Sequence, residues 1–234
     1  GVNSILGLCA VWLSGRTCFP ISSRLSGPQT LSLIDHSTAQ LILTDSAQFE
    51  TIREIVSSKH VVLNIEDVPA GNPTSFEFSF DSQQNSRSAV VVNTSGTTGA
   101  PKGVAHSNKS LLFNTVVHTD SLGLSSSDRA LLLAHNHKIY GITDVLRMLL
   151  NGGSRIPVDL QTTGIAGVLS SLREFHPTVV HFVPTIFRRI LNQSNETDRL
   201  FDSVRVLHLG GEPVTRYDFE CFCFSSNIFI LQLF

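Results

Sequence analysis

The chain has 234 residues, 41% of them hydrophobic and only 15% charged, with a formal net charge of -2. That balance excludes an intrinsically disordered chain, and the absence of a long basic or acidic run excludes nucleic acid or an anionic membrane surface as the main partner. The length suits one large domain or two small ones, with enough chain to bury a core.

In chain order, residues 1–20 predict a helix whose face carries Ile5, Leu6, Leu8, Cys9 and Leu13, then a turn at Ser14-Gly15-Arg16 and a short strand to Pro20. The apolar stretch Ser4 to Leu13 is too short to span a bilayer and has no basic residue before it, so it reads as a core element and not a signal peptide. The chain opens on Gly1, close to this apolar run, and is therefore expected to begin inside a domain. Ser22 to Asp35 reads as a loop entering a helix, punctuated by Gly27-Pro28. Ala39 to Thr44 has the composition of a buried strand, Gln48 to Ser57 of a helix, and His60 to Ile65 of another strand. Glu66 to Arg87 is polar, with Pro69, Gly71 and Pro73, and reads as a connection.

Ala89 to Asn93 is a buried strand that delivers a Ser/Thr/Gly loop, and Asn108 to Thr119 is expected as the helix after it. Strands follow at 128–134, 154–158, 178–183, 204–209 and 227–233, interleaved with helices at 142–150, 163–175 and 185–191. Such alternation predicts an α/β fold: layered, largely parallel sheets with flanking helices. Cys9 and Cys18 stand apart and Cys221-Phe222-Cys223 lacks zinc-site spacing, so ordinary reduced thiols are expected.

The loop itself carries the chemistry. In Thr94-Ser95-Gly96-Thr97-Thr98-Gly99-Ala100-Pro101-Lys102-Gly103, Gly96 and Gly99 free the backbone to approach a ligand and present N–H groups to an anion. Ser95, Thr97 and Thr98 add hydroxyl donors, and Lys102 adds a positive charge on a flexible stem. Spacing rules out the Walker A loop, the dinucleotide fingerprint and the serine-hydrolase elbow. A phosphate cradle and a mobile linker remain, and the placement between a buried strand and a helix favours the cradle.

The same residues, continued to Val104, resemble the core motif of the adenylate-forming (AMP-binding) superfamily of acyl-CoA synthetases, peptide synthetase adenylation domains and luciferases. Three further segments resemble that family in order: Gly7-Leu8-Cys9-Ala10 through Phe19-Pro20-Ile21, Val183-Pro184-Thr185-Ile186-Phe187-Arg188, and Gly210-Gly211-Glu212-Pro213. The resemblance implies that residues 1–234 are part of a large N-terminal adenylation subdomain without its small C-terminal domain. It implies activation of a carboxylic acid by ATP, giving an acyl-adenylate and pyrophosphate. Thr94, Ser95, Gly96, Thr97, Thr98, Gly99 and Lys102 would hold the phosphates, with Thr97 and Lys102 as catalytic groups, and Gly211, Glu212 and Pro213 would border the adenine. Magnesium (Mg2+) would share the charge, its main ligand expected beyond Phe234. The missing parts lead us to expect that this chain alone does not complete adenylation.

The 183–188 and 211–213 segments resemble the peptide-synthetase branch more than fatty acyl-CoA ligases, so the resemblance implies first a peptide-synthetase-like adenylation domain feeding a thiol on a phosphopantetheine carrier domain, with an acyl-CoA ligase of a fatty or aryl acid, using CoA, as the alternative. A non-catalytic nucleotide-binding remnant is the alternative of a different class. The resemblance also implies a cytoplasmic enzyme. The aspartate that pairs with an α-amino group in amino-acid-activating members falls near Ile139, and Asp144 reads as helical and out of register, which speaks against an α-amino acid. His137, Ile139, Tyr140 and His181 are candidate substrate-pocket residues; for His181 a satisfied core histidine is the alternative. His135 and His137 would share one strand face, without metal-ligand spacing around them. Asp35-His36-Ser37 and Arg188-Arg189 read as helix surface.

Overall fold

The computed structural model describes residues 2–69, 86–94, 102–194, 197–216 and 229–233. The chain divides into two compact units, Gly1–Leu112 with Asn136–Ile139, and Phe113–His135 with Tyr140–Phe234.

The first unit opens with α1 (Val2–Leu13), which turns out of helix at Gly15. Trp12 Nε1 donates to the Ala89 carbonyl at 3.1 Å, and the Cys18 N–H reaches the same oxygen at 2.9 Å. These bonds tie the entry segment to β3 (Ser88–Thr94). The next helix, α2 (Gly27–Ser37), starts at Ser26, whose N–H donates to the Gln29 side chain at 3.0 Å, with a proline in its first turn. β1 (Leu41–Thr44) and β2 (Val61–Asn64) pair in parallel, joined by α3 (Ser46–Ile55), whose N-cap Asp45 accepts from Gln48 N at 3.2 Å. The sequence predicts β1 as buried. It is only partly so, because a two-stranded sheet leaves Leu41 45% and Val61 56% exposed.

The largest difference from the sequence reading lies after the loop. Lys102–Ser107 forms a strand, β4, antiparallel to β3 with Thr94 opposite Lys102, and only then does α4 (Asn108–Leu122) begin. KGVAHS has no apolar run to announce it; the ladder with β3 makes it a strand. The loop sequence thus lies between two paired strands, and the helix expected at Asn108 follows the second of them.

In the second unit, five strands form one parallel sheet in the order β6-β5-β7-β8-β9. They are β5 (Arg129–Leu132), β6 (Ser154–Ile156), β7 (Val179–Phe182), β8 (Val206–Gly210) and β9 (Phe229–Leu233). The crossovers include α5 (Ile139–Asn151), α6 (Leu160–Phe175), kinked at Gly164, α7 (Pro184–Gln193) and the short α8 (Thr197–Leu200), which the sequence reading lacks. Alternation along the strands sends Leu131, Val180, Phe182, Leu207 and Leu209 into a core with α6 and α7. Ala130, Leu132, Val179 and Val206 pack with Leu122, Leu124 and Met148 in a second cluster.

Below the amino ends of the strands, Asp128 is 2% exposed. Its carboxylate accepts from Arg205 through both oxygens, from Thr178 Oγ1 at 2.6 Å and from Ser125 N at 2.8 Å. Burial raises its pKa, but these donors outweigh burial and hold it below the usual carboxylate value. The polar groups here are thus consumed in closing the sheet. That leaves the opposite, carboxyl ends of β7 and β8 as the edge where open α/β sheets take ligands.

Candidate functional site

Two places carry the residues singled out from sequence, one in each unit. In the first, the β3–β4 hairpin brings Thr94 and Lys102 into register as its last pair, and Lys102 is exposed. β3 is anchored by Val90 and Val92, 0% and 5% exposed, so the stem is built into the core. Ser95, Gly96, Thr97, Thr98 and Gly99 lie outside the described residues. Lys102 opens β4, and the helix expected from Asn108 begins there as α4.

In the second unit the chain leaves β8 through Gly210 into Gly211. Gly211 sits at φ +83, a left-handed value that a Cβ makes costly, so the turn needs glycine. The turn sends Glu212 back to the start of α7, where its Oε2 accepts from Thr185 N at 3.0 Å and Thr185 Oγ1 at 2.5 Å. Pro213 follows, exposed.

His135 and His137 lie on the connection after β5 and not on a strand, so the shared-face expectation is wrong: β5 ends at Leu132. Ile139 and Tyr140 are the first two residues of α5, both half-buried. His137 and Ile139 belong to the first unit, Tyr140 and His181 to the second. The Tyr140 and His181 rings meet edge to face, 5.8 Å apart. Gly141 lets α5 start here, since a Cβ would come within 2.2 Å of the His135 carbonyl oxygen.

Behind Tyr140 lies a buried polar cluster that sequence reasoning missed. Asp144 bonds Arg147 and His181, each at 2.6 Å, and His181 stacks on His208 at 4.0 Å with rings 13° from parallel. All four residues are at most 5% exposed. Burial raises the pKa of Asp144, but the neighbouring His181 and then Arg147 outweigh it, so Asp144 is held below the ordinary carboxylate value. Burial, and then the neighbouring His181, lower His208 to about 3, so it is neutral. Its Nε2 is buried without a hydrogen-bond partner. Asp144, His181 and His208 are metal-ligating types whose ligand atoms lie within 4.8 Å of one another. The near-parallel rings cannot both hold one ion in plane, and Arg147 already neutralises the carboxylate. The adjoining cavity measures about 10 Å³ and takes at most a water. The sequence signal was an Asp-x-x-Arg step inside an apolar helix and a histidine inside an apolar strand.

Cys9 and Cys18 are free thiols, and burial pushes Cys18 up to about 11, which makes it a poor nucleophile. Cys221 and Cys223 lie outside the described residues. Asp35 and His36 lie on the exposed face of α2 and Arg189 on that of α7, while Arg188 is half-buried. Among the described residues no helix is long and apolar enough to cross a membrane.

Comparison with known proteins gives the family and the fold. The family described as AMP-binding enzyme matches residues 2–222. The 2-succinylbenzoate–CoA ligase of Bacillus licheniformis is 30% identical over 213 residues, 91% of this chain and 43% of the ligase. The nonribosomal peptide synthetase malG of Malbranchea aurantiaca is 26% identical over 219 residues, 90% of this chain and 8% of the synthetase. In fold, the chain is similar to o-succinylbenzoate coenzyme A synthetase of Bacillus subtilis in complex with ATP and magnesium, with a TM-score of 0.78 at 23% identity, covering 98% of this chain and 46% of that one. The chain thus spans less than half of each of these relatives.

Proposed function

Because the chain belongs to the AMP-binding enzyme family, we propose that it is the phosphate- and adenine-binding part of an acid-activating ligase. The observation that carries this reading is the Thr94–Gly103 sequence between the paired strands β3 and β4, with β3 anchored in the core and Lys102 exposed at the start of β4. In this reading Thr94, Ser95, Gly96, Thr97, Thr98 and Gly99 hold the triphosphate of ATP through N–H and hydroxyl donors. Thr97 and Lys102 stabilise the charge that collects on the pyrophosphate as a carboxylate attacks the α-phosphorus. Gly211 and Pro213 border the adenine, with Glu212 between them. Tyr140 lines the acid pocket, and His181 contributes through its edge contact with Tyr140.

Magnesium accompanies ATP in this reading, but the described residues offer it little. Glu212 Oε2 is taken by Thr185, and Asp144 is locked between Arg147 and His181. No step is therefore assigned to the ion. The same locking removes Asp144 as a partner for a substrate ammonium group, and Ile139 cannot supply one. That favours an acid without an α-amino group, and with it CoA as acceptor alongside a phosphopantetheine carrier thiol. Carboxylate-dependent ATP–pyrophosphate exchange, run with a polypeptide extended to the full length of the relatives, tests the reading. Exchange with an aryl or aliphatic acid supports it; exchange with α-amino acids alone overturns the substrate assignment, and none with any acid overturns the activity.

A further inference from the structure

We propose that Glu212 is a positioning residue that clamps the turn after β8 to the first turn of α7, so that the adenine-bordering segment and the Val183-Pro184-Thr185 segment form one wall. The proposal rests on the function proposed above only for what that wall binds.

The first N–H groups of a helix have no partner inside it, and a side-chain oxygen at the N-cap normally supplies one. The N-cap of α7 is Val183, which has no such oxygen, and the first helical residue is Pro184, which has no N–H. Thr185 N is therefore the first donor needing an acceptor, and the acceptor comes from 27 residues along the chain: Glu212 Oε2 at 3.0 Å. The Thr185 hydroxyl donates to the same oxygen at 2.5 Å. A carboxylate at a helix amino end also opposes the positive end of the helix dipole.

The strands beneath make this contact specific. Phe182 and Leu209 are register partners at the carboxyl ends of β7 and β8, so the two segments leave the sheet side by side. The left-handed Gly211 then reverses the chain, and a Cβ placed there would stand 3.5 Å from Val183 Cγ1. Glu212 is only half-buried, so its value lies in joining two segments at a ligand-binding edge more than in core stability. With its carboxylate spent on Thr185, Glu212 shapes the adenine border without touching the base.

The test uses the whole chain and two readouts: amide exchange at Thr185 and calorimetric affinity for ATP. The expected results are lost Thr185 protection and about tenfold weaker ATP binding in Glu212→Ala, as for loss of a charge-assisted bond. Glu212→Gln, which keeps an acceptor oxygen, should stay within about threefold of wild type. The Thr185→Val, Glu212→Ala double variant should bind ATP no worse than Glu212→Ala alone. Unchanged Thr185 protection in Glu212→Ala, equal losses in the Ala and Gln variants, or additive losses in the double variant overturn the clamp. If wild type itself does not bind ATP, the nucleotide reading fails, and Thr185 protection alone decides the clamp.

Discussion

Substituting His208 by glutamine should flatten the acid side of the second unit's stability. The His208 imidazole is held neutral, its pKa lowered from 6.5 to about 3 by burial and then by the His181 beside it. Arg147 and His118 push the same way and Asp144 opposes them. In the unfolded chain the group returns to its ordinary value. Between these two values the unfolded state binds a proton that the folded state refuses, so stability is complete above about pH 6.5 and falls as pH drops toward 3. Integrated from pH 7 to pH 5, the loss is about 2 kcal/mol. Amide exchange in β7 and β8 reads the opening free energy of this unit directly. Wild type should lose protection at pH 5 worth about 2 kcal/mol more than His208→Gln does. Parallel losses in the two proteins would refute the claim that a buried neutral imidazole sits under the sheet.

Asp144→Asn leaves the Arg147 guanidinium, whose side chain is 4% exposed, without its counter-charge, and should destabilise the fold by roughly 3–5 kcal/mol in urea unfolding. Asp128→Asn breaks a carboxylate with five hydrogen-bonded partner atoms and should cost about 1–3 kcal/mol at pH 7 in the same measurement. Because the folded pKa of Asp128 is depressed, its contribution is present above about pH 4 and lost as pH falls through the lower folded value, so the variant should show a shallower loss there than wild type. Phe187, 0% exposed and set edge-on to Phe201 at 6.1 Å, should cost about 3–5 kcal/mol when cut to alanine, seen as a lower unfolding midpoint.

The legible parts of this fold were those written in local pattern. VVHF and VLHLG are short, apolar and β-branched, so β7 and β8 could be placed from sequence, and the Ser/Thr/Gly loop could be read for its chemistry. β4 could not, because KGVAHS becomes a strand only by pairing with β3. The exposure of β1 was misjudged for the same kind of reason: LILT is apolar, but its sheet is two strands wide. The buried cluster joins Asp144 to His181 across 37 residues, and the α7 cap joins Thr185 to Glu212 across 27. Such contacts depend on which strands become neighbours, and residue type alone does not record that.

The most direct test of the central claim is the affinity of the 234-residue chain for ATP, measured by titration calorimetry beside Lys102→Ala. Saturable ATP binding is expected, weakening about tenfold when the Lys102 charge is removed. Failure to bind ATP, or binding that Lys102→Ala leaves unchanged, would contradict it.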